Sequence, residues 1–170
     1  MRRHAVTETP LGWVAVLQTE KGIRRTTLPQ PSAEAALAQL RQHEGDPGKH
    51  DPEPLVEVLA RLRAFYAGEP VQFGDLLVDL DGRPPFARLV WEHVRAVPWG
   101  QVRTYGEVAR LVGRPRATRA VGRAMATNPV PPIVPCHRVI GSGGRLTGFG
   151  GGLDMKARLL TAEGLSLKQP

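Results

Sequence analysis

The breaker run Asp81-Gly82-Arg83-Pro84-Pro85 is the strongest constraint on how this 170-residue chain can fold. Each proline lacks an N–H and holds φ near about −65°, so neither a helix interior nor a sheet ladder can run through the pair. A chain of this length holds one medium domain or two small ones. The breaker therefore places a boundary between residues 1–80 and 81–170. The charge changes at the same point. The first part carries 9 Lys+Arg against 11 Asp+Glu and the second 14 against 5, which gives −2 and +9 within a total of +7. Such an excess suits a surface that neutralises phosphates. Arginine supplies 12 of the 14 cations, and its planar fork binds phosphates and base edges bidentately. A basic balance alone fits a solvated face equally well. No apolar run approaches the roughly 18 to 20 residues of a membrane span, and the first eight residues lack the apolar stretch of a secretory signal. The expectation is a cytoplasmic, nucleoid-associated protein with no membrane partner.

Residues 1–80 read as a small α/β domain. Leu11 to Leu28 mixes apolar runs with the turn signals Pro10-Leu11-Gly12 and Lys21-Gly22, which predicts a hairpin or meander with Trp13–Leu17 as a buried strand. Ser32 is a plausible N-cap for a helix to Gln42. Glu44 to Pro52 is a polar loop rich in breakers. Leu55, Leu59, Leu62 and Tyr66 recur at helical spacing before Gly68. Val71 to Leu80, short and partly alternating, predicts an edge strand.

Residues 81–170 read as helical. Pro84 or Pro85 opens a helix whose stripe is Phe86, Leu89, Val90 and Val94, ending at Pro98. Thr104-Tyr105-Gly106-Glu107 fits a capping box, and its helix ends at Gly113. A turn through Arg114-Pro115-Arg116 leads to a second short helix, Ala117 to Thr127, made largely of small residues. Two short helices about such a turn resemble a helix-turn-helix. Small side chains permit close approach to a partner, and Arg116, Arg119 and Arg123 would project toward DNA at helical spacing. An ordinary helical hairpin with a basic face has the same pattern.

The chain has one cysteine, Cys136, which excludes an internal disulfide and a multi-cysteine zinc site. A lone cysteine is more often an inert buried thiol than a nucleophile. Its setting argues otherwise. Ile133-Val134-Pro135 is an extended approach, and His137 and Arg138 offer a base and a positive field to a thiol that reacts only as thiolate. On an extended strand Cys136 and His137 would face opposite ways and need a bend or a bridging water. Glu163 is one of few acids able to orient an imidazole in this half.

The run Asn128-Pro129-Val130-Pro131-Pro132-Ile133-Val134-Pro135-Cys136-His137-Arg138-Val139 resembles the active-site signature of the O6-alkylguanine-DNA alkyltransferases (methylated-DNA–protein-cysteine methyltransferases). The likeness extends from about Phe86 through Tyr105-Gly106-Glu107, Arg119-Ala120-Val121-Gly122 and Gly148–Gly152 to Lys156–Gly164. It reaches more weakly to Thr9–Gly12 and Phe65–Glu69. It implies an α+β fold, with a ribonuclease-H-like N-terminal domain and a winged helix-turn-helix-type C-terminal domain. It also implies stoichiometric, irreversible transfer of an alkyl group from O6-alkylguanine in double-stranded DNA to Cys136 after base flipping, and leaves open whether O4-alkylthymine is repaired as well.

By the same resemblance, His137 acts through water as base, Glu163 holds His137, and Asn128 braces the turn after the recognition helix. Arg119 replaces the extruded guanine, and Tyr105 rotates the phosphate and supports departure of guanine. Gly150 and the backbone at Val139 contact the flipped base, and Pro131 lines the alkyl side. Arg116, Arg123, Arg138 and Phe149 complete the expected DNA and substrate contacts. No cofactor and no metal are implied, and a monomer is expected. Phe149 stands where many relatives carry tyrosine, and Gly150 and Gly152 enrich its loop in glycine, which opens substrate preference. A non-enzymatic alkyl-lesion binder would lack Cys136. A thiol hydrolase leaves the basic helical pair unexplained, and a plain transcriptional regulator leaves the cysteine without a purpose.

Overall fold

The computed structural model describes residues 1–167, which form two compact units: 1–80 with 129–131, and 81–128 with 132–167. In the first, β1 (Arg3–Thr9), β2 (Gly12–Thr19), β3 (Gly22–Thr26) and β4 (Lys49–His50) make one sheet in the order β3-β2-β1-β4. β1 pairs antiparallel with β2, β2 antiparallel with β3, and β1 parallel with β4. Val14, Ala15, Val16 and Leu17 are all fully buried. Alternate residues of a strand face opposite sides, so a strand buried at four successive positions is covered on both. On one side the cover is α1 (Ala33–Glu44), whose Ala36 and Leu40 pack on Ala15 and Leu17 with Val6, Trp13 and Leu37 around them. Ser32 caps this helix, its hydroxyl accepting from Ala35 N at 3.1 Å.

α2 (Val56–Tyr66) packs on β1 and buries Leu59, Leu62 and Tyr66, together with Val58 and Phe65. The turn between β1 and β2 requires glycine. Gly12 has φ 130°, and a Cβ there would lie 2.6 Å from the Gln30 carbonyl oxygen. Three expectations need correction, the first being the polar loop Glu44–Pro52, which contains β4. β1 lies before the segment read as a meander, and Val71–Leu80 is no edge strand but a loop with one isolated bridge, Val78 to Ile23. Pro129–Pro131 belongs to this unit: Pro129 O accepts from Thr26 N at 3.0 Å, and Pro131 O from the Thr26 hydroxyl.

In the second unit, α3 (Pro85–Arg95), α4 (Tyr105–Leu111) and α5 (Thr118–Ala126) pack on one another. Pro85 occupies the first helical position, where a missing N–H costs nothing. Trp91 Nε1 donates to Ala124 O at 2.8 Å, tying α3 to α5. The capping box is formed in both directions: Glu107 N to Thr104 Oγ1 at 3.1 Å and Thr104 N to Glu107 Oε2 at 2.6 Å. β5 (Arg103–Thr104) pairs in parallel with β6 (Val139–Ile140). α6 (Leu153–Ala162) sets Leu160 against Ile140 and Leu146 in a small core completed by Val102, Leu153 and Ala157. Among the described residues no helix is long and apolar enough to cross a membrane.

Candidate active site

Val134 and Pro135 lead into a single 3-10 turn, Cys136–Arg138, followed at once by β6. The expectation of an extended strand at Cys136 is therefore corrected. A three-residue turn rotates successive side chains by about 120°, so Cys136, His137 and Arg138 fan out from one point. The turn is closed by Cys136 N to Val134 O at 2.8 Å and Arg138 N to Pro135 O at 2.9 Å. β5 runs directly into Tyr105, the first residue of α4, so the β5–β6 pair fixes the start of α4 beside the cysteine turn.

All three side chains of the turn are buried. His137 Nε2 lies 2.7 Å from Glu163 Oε1. An ionised carboxylate only accepts, so Nε2 carries the proton and Nδ1 holds the basic lone pair. Glu163 sits at the C-terminal end of α6, its side chain inaccessible to solvent. Arg138 Nε donates to both its oxygens at 3.0 and 2.9 Å, and Arg138 Nη2 to Oε1 at 2.9 Å. Gly100 N reaches Oε2 at 3.0 Å. Burial alone would raise this carboxyl, but the hydrogen bonds from His137 and Arg138 prevail and hold it below the usual carboxylate range. Burial lowers the imidazole of His137, against the pull of Glu163 and with help from the charges of Arg138 and Lys156. Burial raises the Cys136 thiol, opposed by the Asn128 side chain, the Lys156 charge and the nearby backbone N–H groups. At neutral pH the site thus holds a protonated thiol beside a neutral imidazole.

Cys136, His137 and Glu163 come together as expected, and so does Asn128. It lies just beyond α5, and its Nδ2 donates to Val134 O at 2.8 Å, spanning the approach to the cysteine turn. Tyr105 is half-buried, its hydroxyl 3.3 Å from Thr147 Oγ1. Arg119 and Arg123 are exposed on α5, whereas Arg116 lies in the preceding turn and not on the helix. Phe149 is half-buried and Gly150 exposed in the glycine loop. Pro131 is buried in the N-terminal unit. Arg138 differs from its expected place among DNA contacts. It points inward to Glu163, and Nη1 donates to Val97 O at 2.7 Å. The backbone around Val139 is expected near the flipped base, and its carbonyl at Val139 accepts from Lys156 Nζ at 2.6 Å.

Lys156 was not anticipated in the site. It is fully buried on α6, donates also to Thr147 O at 2.9 Å, and lies 5.9 Å from the centre of the Tyr105 ring. Burial pushes its ammonium down to about 8. Its signal was available: Leu153, Lys156, Ala157 and Leu160 form an i, i+3, i+4, i+7 stripe, and a cation on an apolar stripe must have a buried partner.

A family model described as "6-O-methylguanine DNA methyltransferase, DNA binding domain" matches residues 85–165. A methylated-DNA–protein-cysteine methyltransferase of Methanosarcina acetivorans is 37% identical over 95% of this chain and 97% of its own. The chain belongs to this family. A member from Mycolicibacterium paratuberculosis is 47% identical over 66% of this chain and 67% of its own. The crystal structure of Mycobacterium tuberculosis O6-methylguanine methyltransferase superposes with a TM-score of 0.78 at 36% identity, covering 96% of this chain and 93% of that one. The DNA complex of Mycobacterium tuberculosis OGT superposes at 0.74, with 36% identity over 95% and 92% of the two chains. The similarity spans the cysteine turn, α6 and the helix pair, so the buried residues described above belong to the part of the chain the methyltransferase family shares.

Proposed function

We propose that the chain repairs DNA by moving the alkyl group of O6-alkylguanine irreversibly to its own Cys136, acting as a methylated-DNA–protein-cysteine S-methyltransferase. The observation that carries this reading is the buried contact of His137 with Glu163, one residue from the only cysteine. His137 Nδ1 takes the thiol proton through a bridging water as the thiolate attacks the alkyl carbon. The S–C bond forms and the C–O6 bond breaks. Guanine returns to its lactam form by gaining a proton at N1, which balances the proton lost by the thiol. Since a thioether is a poor leaving group, one molecule repairs one lesion.

The reacting carbon is hidden in the duplex, so the base must be extruded at a cost of a few kcal/mol of unstacking. Arg119 fills the vacated stack, and Arg116 and Arg123 bind phosphates. Tyr105 turns the phosphate and supports loss of guanine. Gly150 and the backbone around Val139 meet the flipped base, with Phe149 as an aromatic wall. Residues 1–80 serve as a ribonuclease-H-like support, and residues 81–170 as a winged helix-turn-helix-type acceptor domain. The protein works as a monomer in the cytoplasm at the nucleoid. The test is incubation with duplex DNA containing O6-methylguanine, followed by mass spectrometry of the peptide holding Cys136. The peptide should gain one methyl group as the lesion disappears, and an unmodified cysteine with unrepaired DNA overturns the reading.

A further inference from the structure

Glu163 holds two partners that compete for the same charge. The carboxylate receives one hydrogen bond from the imidazole of His137 and three from the guanidinium of Arg138, with the Arg138 side chain 9% exposed and that of Glu163 inaccessible. Arg138 is in turn fixed by Val97 O and lies 5.9 Å from the centre of the Trp99 ring. A guanidinium stays protonated throughout the ordinary pH range. With Arg138 present, a neutral imidazole, a carboxylate and a guanidinium sum to zero. Without it, a buried imidazole and carboxylate carry one uncompensated negative charge, which burial strongly disfavours. The pair would then take up a proton, and the imidazolium so formed could no longer accept one from the thiol. Lys156 also acts on His137, and its charge likewise disfavours the imidazolium.

We propose that Arg138 is a positioning residue for alkyl transfer: by neutralising Glu163 it keeps His137 oriented yet unprotonated, so that the imidazole remains a base at neutral pH. This rests on reading His137 as the base toward Cys136. It also separates two tasks usually given to one acid. Glu163 orients the ring, and Arg138 removes the charge through which the acid would otherwise protonate it.

The test follows the His137 ring nitrogens by NMR against pH in the 15N-labelled full chain without DNA, alongside the pH dependence of methyl transfer from an O6-methylguanine duplex. In the wild-type protein His137 should stay neutral at pH 7. Arg138→Met should raise its midpoint by about one pH unit or more, and the acid limb of the transfer rate should move up with it. Arg138→Lys keeps the charge and should leave the midpoint near that of wild type while slowing transfer. An imidazolium at pH 7 in the wild type, an unshifted midpoint in Arg138→Met, or an equal upward shift in Arg138→Lys overturns the proposal. If Arg138→Met does not fold, the wild-type and Arg138→Lys titrations still decide it. A wild-type protein with the expected titration but no methyl transfer counts against the transferase reading and leaves the Arg138–Glu163 charge balance standing.

Discussion

At the scale of single residues, the site depends on burial opposed by specific partners. Glu163 is held below the usual carboxylate range in the folded chain, so its contribution to stability is complete above its unfolded value of about 4.3 and is lost as pH falls through the folded value. His137 is lowered by burial. The unfolded chain therefore binds that proton first, and stability begins to fall once pH drops below about 6.5. Glu163→Gln leaves Arg138 buried beside a neutral amide and should cost about 3–5 kcal/mol at pH 7. Urea melts at pH 7 and pH 3.5 check this, since the gap to wild type should narrow at the lower pH. Cys136→Ala should bind lesion-bearing duplex as wild type does and transfer nothing. Methyl loss from the DNA with this variant would show the acceptor to be misassigned. Cys136, His137 and Glu163 stand out in the sequence by residue type and by the family signature, because a thiol, an imidazole and a carboxylate have few chemical substitutes. Residue type alone does not place Arg138, because a guanidinium suits an internal carboxylate and a phosphate equally well.

At the scale of elements, what was legible was what local hydrogen bonding decides. Ser32 caps α1, and Thr104 and Glu107 close a capping box on α4, with the helices starting where those residues stand. Thr104→Ala should destabilise the second unit by about 1 kcal/mol. Because β5 and the start of α4 carry Tyr105, this variant should also weaken DNA binding, which a titration by fluorescence anisotropy checks. Elements that depend on distant partners were less legible. Val71–Leu80 has strand-like composition but only one bridge, to Ile23, and a strand exists only where a neighbour supplies a ladder. Pro135 suggests an extended chain before the cysteine turn, yet its preference acts on Val134 and says nothing of residues 136–138.

At the scale of the whole molecule, the uneven charge is the property that reaches DNA. Binding to undamaged duplex should weaken steeply with salt, and Arg123→Ala should reduce the slope of log K against log salt by about 0.9, the release expected for one phosphate contact. Arg119→Ala should reduce methyl transfer more than duplex binding if its side chain replaces the extruded base. Parallel anisotropy and transfer assays separate the two effects. The sequence by itself determined the proline breaker at residues 84–85, the placing of charge, the helix starts and the presence of a single thiol, because these depend on residue type and on neighbours within a few positions. Only the tertiary structure decided that Pro129–Pro131 bonds with Thr26 of β3, that Lys156 lies beneath Tyr105, and that Arg138 serves Glu163. Those pairings join positions 105 residues apart at Thr26 and Pro131 and 25 apart at Arg138 and Glu163. Their partners are selected by which polar groups burial leaves facing one another, and no local pattern encodes that.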